Sequence, residues 1–200
     1  MNQWEKQLPE RVRQRLESIE VTPENRKRMK AEAKIKDLLA QFYRGDLDPD
    51  DCAQQIKEFR DGPLSFLIPE MQRRVLDSLS LQIPGSVFRR RSRCLLVLER
   101  LHRDNEHGRM KAILNQLGEL IKYYRSQKEH ARKEFLRQVE QDPRLRMART
   151  RTEIGEVSVQ LSPEEAMNRS PQFKRFMAQH ESQARGQFDE LVDKIRSVLK

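Results

Sequence analysis

The chain has 200 residues, of which 36% are hydrophobic and 36% charged, with a formal net charge of +9. That composition is poorer in apolar and richer in charged residues than an average globular domain, so it implies a thin core built of extended helices. The longest unbroken apolar run, Cys94 to Leu98, excludes a transmembrane helix, and the start of the chain lacks the apolar stretch of a secretory signal, so a cytoplasmic location is expected.

Met1 to Glu20 places Trp4, Leu8, Val12, Leu16 and Ile19 at three- and four-residue intervals. Thr22-Pro23-Glu24 then reads as an N-cap with proline at the first helical position, and Ile35, Leu38, Leu39 and Phe42 form the apolar stripe of a helix that Gly45 stops. Asp48-Pro49 opens a short helix with Cys52, Ile56 and Phe59 on one face, ended by Asp61-Gly62-Pro63. Pro69 is expected to open the next, which carries Val75, Leu76, Leu79 and Ile83 as far as Pro84-Gly85. Ser86 suits an N-cap for a helix reaching about residue 103. Its run Cys94 to Leu98 is apolar around most of the circumference, which predicts a central position in the core.

From Arg109 to Gln141 nothing interrupts the helical pattern, giving a rod of about 50 Å. Its stripe of Ile113, Leu117, Ile121, Tyr124, Ala131, Phe135 and Val139 approaches a coiled-coil heptad that Lys128 interrupts. Arg144 to Ser162 has no helical period and is expected to be a flexible linker or a small hairpin turning at Gly155. Ser162-Pro163-Glu164-Glu165 has the form of a capping box. Ser170-Pro171 starts a last helix with the stripe Phe173, Met177, His180, Ala184, Phe188, Leu191, Ile195 and Val198. The fold class is therefore all-α: a multi-helix bundle with one long central helix and a C-terminal helix joined by a flexible linker. Its expected organisation is a helical domain over 1–142, a basic linker or hairpin over 143–162 and a C-terminal helical segment over 163–200. The helices before the rod are expected to pack on its N-terminal half, and the last helix on its seam or on another subunit.

No site for chemistry emerges. Cys52 and Cys94 have no partners at metal-ligand spacing, and His102, His107, His130 and His180 form no H-E-x-x-H or H-x-x-x-H pattern. Asp46, Asp48, Asp50 and Asp51 lack the central glycine and terminal glutamate of a calcium loop, and helix capping accounts for them better. There is no glycine-rich phosphate loop and no G-x-S-x-G elbow. The expectation is a protein that is not an enzyme, with no catalytic residue, metal or cofactor. His180, on an apolar stripe, reads as a packed, hydrogen-bonded core residue.

Charge segregation is the informative feature. Residues 1–85 and 152–200 are nearly balanced, whereas residues 86–151 hold 18 Lys and Arg against 8 Asp and Glu. Candidate anion or nucleic-acid contacts lie there. Arg89, Arg93, Arg100 and Arg103 fall within about 80° of one another on a continuous helix, next to Arg90. Lys111, Lys122, Arg125, Arg132 and Lys133 lie on the rod away from its seam, and Arg144, Arg146, Arg149 and Arg151 form an arm. Guanidinium groups pair bidentately with phosphate and carboxylate alike, so the residues suit a nucleic-acid backbone, the favoured partner, or an acidic protein. The bland alternative is a solvated face on which Glu99, Glu106, Glu119, Glu129 and Glu134 neutralise neighbouring bases. From another functional class, a structural or adaptor subunit would use the stripes of the long and last helices for homo-oligomer or protein-protein pairing.

Overall fold

The structure, a computed structural model, describes residues 22–101, 107–152 and 155–199. The chain divides into two compact units, one ending at Met71 and the other beginning at Gln72. The N-terminal amphipathic segment with Trp4 to Ile19, together with His102, Arg103 and Glu106, lies outside the described residues.

In the first unit, helix α1 (Pro23–Arg44) starts where the Thr22 hydroxyl accepts a hydrogen bond from the Asn25 amide at 3.2 Å. It stops at Gly45, whose φ of 102° sends its N–H back to the carbonyls of Gln41 and Phe42. Ile35, Leu38, Leu39 and Phe42 are all buried. Helix α2 (Pro49–Ile56) packs against α1 and buries Cys52, Ala53 and Ile56 before a 3-10 turn over Lys57–Phe59. Asp48 occupies the N-cap of α2 but makes no capping bond with its side chain; Asp46 pairs with Arg44 at 2.9 Å. Lys34 joins α1 to the 3-10 turn through Glu58.

Helix α3 (Leu67–Asp77) runs across the division between the units. It begins two residues earlier than Pro69 implies, because proline is tolerated anywhere in the first turn, where no intrahelical N–H bond is lost. It also ends before Leu79 and Ile83, which are buried from the turns that follow. In the second unit, α4 (Gly85–Glu99) ends four residues short of 103, so Arg100 sits at its C-cap. Helix α5 (His107–Gln141) is the rod, 35 residues and about 52 Å long. Met110, Ile113, Leu114, Leu117, Ile121, Tyr124, Ala131 and Val139 are its buried stripe, and Lys128 is exposed.

The segment after the rod makes a 3-10 turn (Pro143–Arg146) and an antiparallel hairpin of β1 (Met147–Thr152) and β2 (Gly155–Gln160), paired from Met147↔Gln160 to Thr152↔Gly155. Of the two forms expected for this stretch, a hairpin is what forms. Helix α6 (Pro163–Arg169) opens with a complete capping box: the Ser162 hydroxyl accepts from the Glu165 amide, and the Glu165 carboxylate accepts from the Ser162 amide at 3.0 Å. Val139, Leu161, Ala166 and Met167 make a small core beneath it, with Phe135, Ala148 and Phe173 packed around them.

Helix α7 (Pro171–Val198) returns along α5. The direction is antiparallel, since Phe173 meets Phe135 at 5.1 Å between ring centroids while His180 stacks on Tyr124 at 5.2 Å. Ala184, Phe188, Val192 and Ile195 continue the buried face. Helix α4 also packs against α5. The fold is all-α apart from the hairpin, with the long helix and the C-terminal helix as its main pair. No helix among the described residues is long and apolar enough to cross a membrane.

Candidate anion-binding groove

Helices α4 and α5 meet at a point set by a missing side chain. A Cβ on Gly118 would lie 2.9 Å from Cε1 of Phe88, so the ring of α4 is seated directly on the backbone of α5. Gly85 lies against Arg125 at the other end of the contact, so the two helices run antiparallel. Between them opens a groove of about 1030 Å³.

Its floor is apolar, made by Phe88 and Leu96 of α4 and by Leu114 and Ile121 of α5. Its walls carry Arg89 and Arg93 from α4 and Lys122 and Arg125 from α5, with Ser86, Ser126, Glu119 and Glu129 beside them; Ser92 also lines the groove, but its hydroxyl is enclosed. Arg125 is held in place: its Nη2 donates to the Gln82 carbonyl at 3.2 Å. Lys122 faces Glu119 at 3.8 Å, but both side chains are nearly four-fifths exposed, so water and salt screen that pair. Arg89 and Arg93 are exposed. Four cations against two carboxylates leave the groove positive.

The groove gathers only part of the basic residues singled out in the sequence. The four arginines opening α4 diverge at 100° per residue: Arg89 and Arg93 face the groove, while Arg90 and Arg91 are half-buried, Arg91 donating to the Ser78 carbonyl. Arg100, at the C-cap of α4 with φ of -65° and ψ of -15°, is exposed and does not line the groove, and Arg103 lies outside the described residues. On α5, Lys111 and Lys133 are exposed elsewhere on the rod and Arg132 pairs with Glu164 of α6 at 3.2 Å. The arm also separates into different roles. Arg144 is exposed in the 3-10 turn, Arg146 donates to the Leu161 carbonyl at 3.1 Å and thereby closes the base of the hairpin, and Arg149 is exposed on β1. Arg151 holds a place in β1 opposite Glu156, its side chain lying outside the described residues.

Three features were missed at the level of sequence. Leu96 and Val97 are only half-buried, so α4 is not enclosed on all sides, and Leu96 lines the groove floor. Glu99 is not on a solvated face but 2% exposed, accepting from Nε2 of Gln72 at 2.9 Å. Its position four residues after the buried Leu95 was the available signal. His180 is packed as expected, yet its enclosed Nε2 has no hydrogen-bond partner among the described residues; stacking on Tyr124 and Phe176 holds it instead.

Among the described residues no cluster of three or more His, Cys, Asp or Glu side chains could hold a metal ion. Cys52 and Cys94 are buried and form no disulfide. What the site offers is an elongated, positive, apolar-floored surface suited to docking. Comparison with curated proteins and with solved structures finds no match. The model of a family of unknown function (DUF6657) does match, over residues 53–200, a span that includes both walls of the groove and the hairpin, and the chain belongs to that family.

Proposed function

We propose that the protein is a non-enzymatic interaction module whose α4/α5 groove docks an anionic partner, and that this partner is an acidic amphipathic segment of another protein. Charge alone favours a nucleic-acid backbone. The apolar floor shifts the balance, because phosphates gain nothing from it, whereas a helix with an apolar stripe and acidic flanks would lay the stripe along Leu96, the half-buried member of a floor whose Phe88, Leu114 and Ile121 are themselves buried, and place carboxylates against Arg89, Arg93, Lys122 and Arg125. Along α5 the lining runs from Leu114 to Glu129, about 22 Å, or four turns of a docked helix. The observation that carries the proposal is this combination of a cationic rim with an apolar floor in one groove.

The test is fluorescence anisotropy with a labelled peptide of about 15 residues, leucines at three- and four-residue spacing and Asp or Glu elsewhere, run beside duplex DNA, single-stranded DNA and RNA. The peptide is expected to bind. Its affinity should fall as salt rises from about 50 to about 200 mM, and should drop at least about tenfold in the Arg89→Glu, Arg93→Glu double variant. Leu96→Asn should weaken the peptide too and leave any nucleic-acid binding unchanged. Binding of nucleic acid without binding of peptide would replace the acidic-helix partner by a phosphate backbone; binding of neither at low salt would return the arginines to the status of solvated surface.

A further inference from the structure

The apolar stripes of α5 and α7 occupy each other within one chain, so the unsatisfied apolar surface has to be sought elsewhere. Much of it is at the hairpin: Leu145, Met147, Val157 and Val159 are all more than two-fifths exposed. Val157 and Val159 share one face of the hairpin with Ala148, and Met147 lies on the other; two six-residue strands are marginal alone, and both outer edges are templates for a further strand.

The two edges differ in what they admit. Leu161 N–H donates to the Arg146 carbonyl at 2.8 Å, which makes 146/161 a hydrogen-bonded pair of the ladder. By alternation 148/159, 150/157 and 152/155 are the other bonded pairs, so Glu156, Ser158 and Gln160 turn their backbone N–H and C=O groups to the outer edge of β2. No third strand borders that edge among the described residues, and Val157, Ser158, Val159 and Gln160 are all exposed. On β1 the outward-turned residues are Met147, Arg149 and Arg151. Pairing of β1 with its own copy sets arginine opposite or beside arginine, which opposes association.

From this asymmetry we infer that β2 pairs antiparallel with β2 of a second copy of the chain about a two-fold axis at Ser158, joining two hairpins into a four-stranded sheet. In that register every outward backbone group of the strand finds a partner: Ser158 exchanges both bonds with its own copy, and Glu156 pairs with Gln160. Val157 falls opposite Val159 in the closely spaced, non-hydrogen-bonded positions where side chains touch best, and the pair is repeated by symmetry. No like charges face each other. The alternative of β1 on one copy pairing with β2 on the next does not close and would propagate into a filament. This dimer interface shares no residue with the groove lining.

The test combines mass and cross-linking on the full chain. Sedimentation equilibrium from micromolar to several hundred micromolar protein should show the weight-average mass rising from one chain toward two. Ser158→Pro removes an N–H that serves only the outer edge, so it should weaken the dimer at least about tenfold while leaving the hairpin's own bonds intact. Val159→Lys, which puts two added charges at the paired valines, serves the same purpose should the proline variant lose its helical circular dichroism. Ser158→Cys should form a disulfide-linked dimer under mild oxidation, since bonded partners sit about 5.5 Å apart between Cα atoms. Gln160→Cys should not, because its own copy lies about 13 Å away, and Cys52 and Cys94 are buried and do not compete. A monomer throughout the range, an open polymer, equal cross-linking of the two cysteine variants, or a dimer indifferent to both Ser158→Pro and Val159→Lys would each overturn the assignment.

Discussion

Tyr124 shows how one buried atom sets two measurable properties. Its ring is 1% exposed, stacked on His180 between α5 and α7, and its hydroxyl is enclosed with no hydrogen-bond partner among the described residues. An enclosed hydroxyl without a partner has given up its bonds to water for nothing, so the phenylalanine that keeps the ring and deletes the oxygen should be the better residue there. Tyr124→Phe is expected to raise the unfolding free energy by about 1 kcal/mol in urea titrations, the opposite sign from most core substitutions. The same residue predicts a response to alkali. Burial first, and the nearby Glu181 carboxylate second, push its phenol above the ordinary value of 10.0. In the window between that value and the raised one the folded chain keeps a proton that the unfolded chain has lost, so stability falls as pH rises through it. The native protein should therefore lose stability above about pH 10 more steeply than Tyr124→Phe does; identical slopes would mean the phenol is not perturbed by folding.

At the scale of elements, the contact of α4 with α5 depends on Gly118. Alanine there would gain helix propensity but force the Phe88 ring aside; a branched side chain cannot be accommodated without separating the helices. Gly118→Val should cost about 1 to 3 kcal/mol by chemical denaturation and should reduce peptide binding in the groove at concentrations where the variant remains folded. Unchanged stability would show that the ring moves freely and that the glycine does not shape the groove. Most helix boundaries near such contacts could be read from capping residues: Thr22-Pro23, Gly45 and Ser162-Pro163 act locally, through bonds to backbone within four residues, and all three work as their types imply. The end of α4 could not be read, because nothing in Arg100 to Arg103 breaks a helix by itself. Nor could the groove. Helical angles place Arg89 with Arg93, but which face of α4 abuts α5 is decided by the seating of Phe88 on Gly118, a contact between residues 30 positions apart. The arginines of the hairpin region read as one basic arm in the sequence because charge alone carries no strand register, and the register gives Arg146 a structural bond and leaves Arg149 on an exposed strand.

For the whole molecule, net charge should govern association far more than folding. Ion pairs such as Arg28 with Glu32, Arg44 with Asp46, and Arg196 with Asp77 and Asp193 join side chains that are more than a third exposed, where each pair is worth little. Screening them costs little stability, and screening the mutual repulsion of an excess of nine positive charges returns some of it. Docking as proposed would differ, because the groove would bring four cations toward one ligand and the attraction would be lost as counterions compete for them. Raising sodium chloride from about 50 to about 500 mM is therefore expected to move the unfolding free energy by less than about 1 kcal/mol in either direction, while the acidic peptide loses at least about tenfold in affinity. The two curves must be measured on the same preparation. If stability declined in step with affinity, the lost binding would report unfolding of the bundle; if it stayed level, the salt dependence would belong to the groove alone.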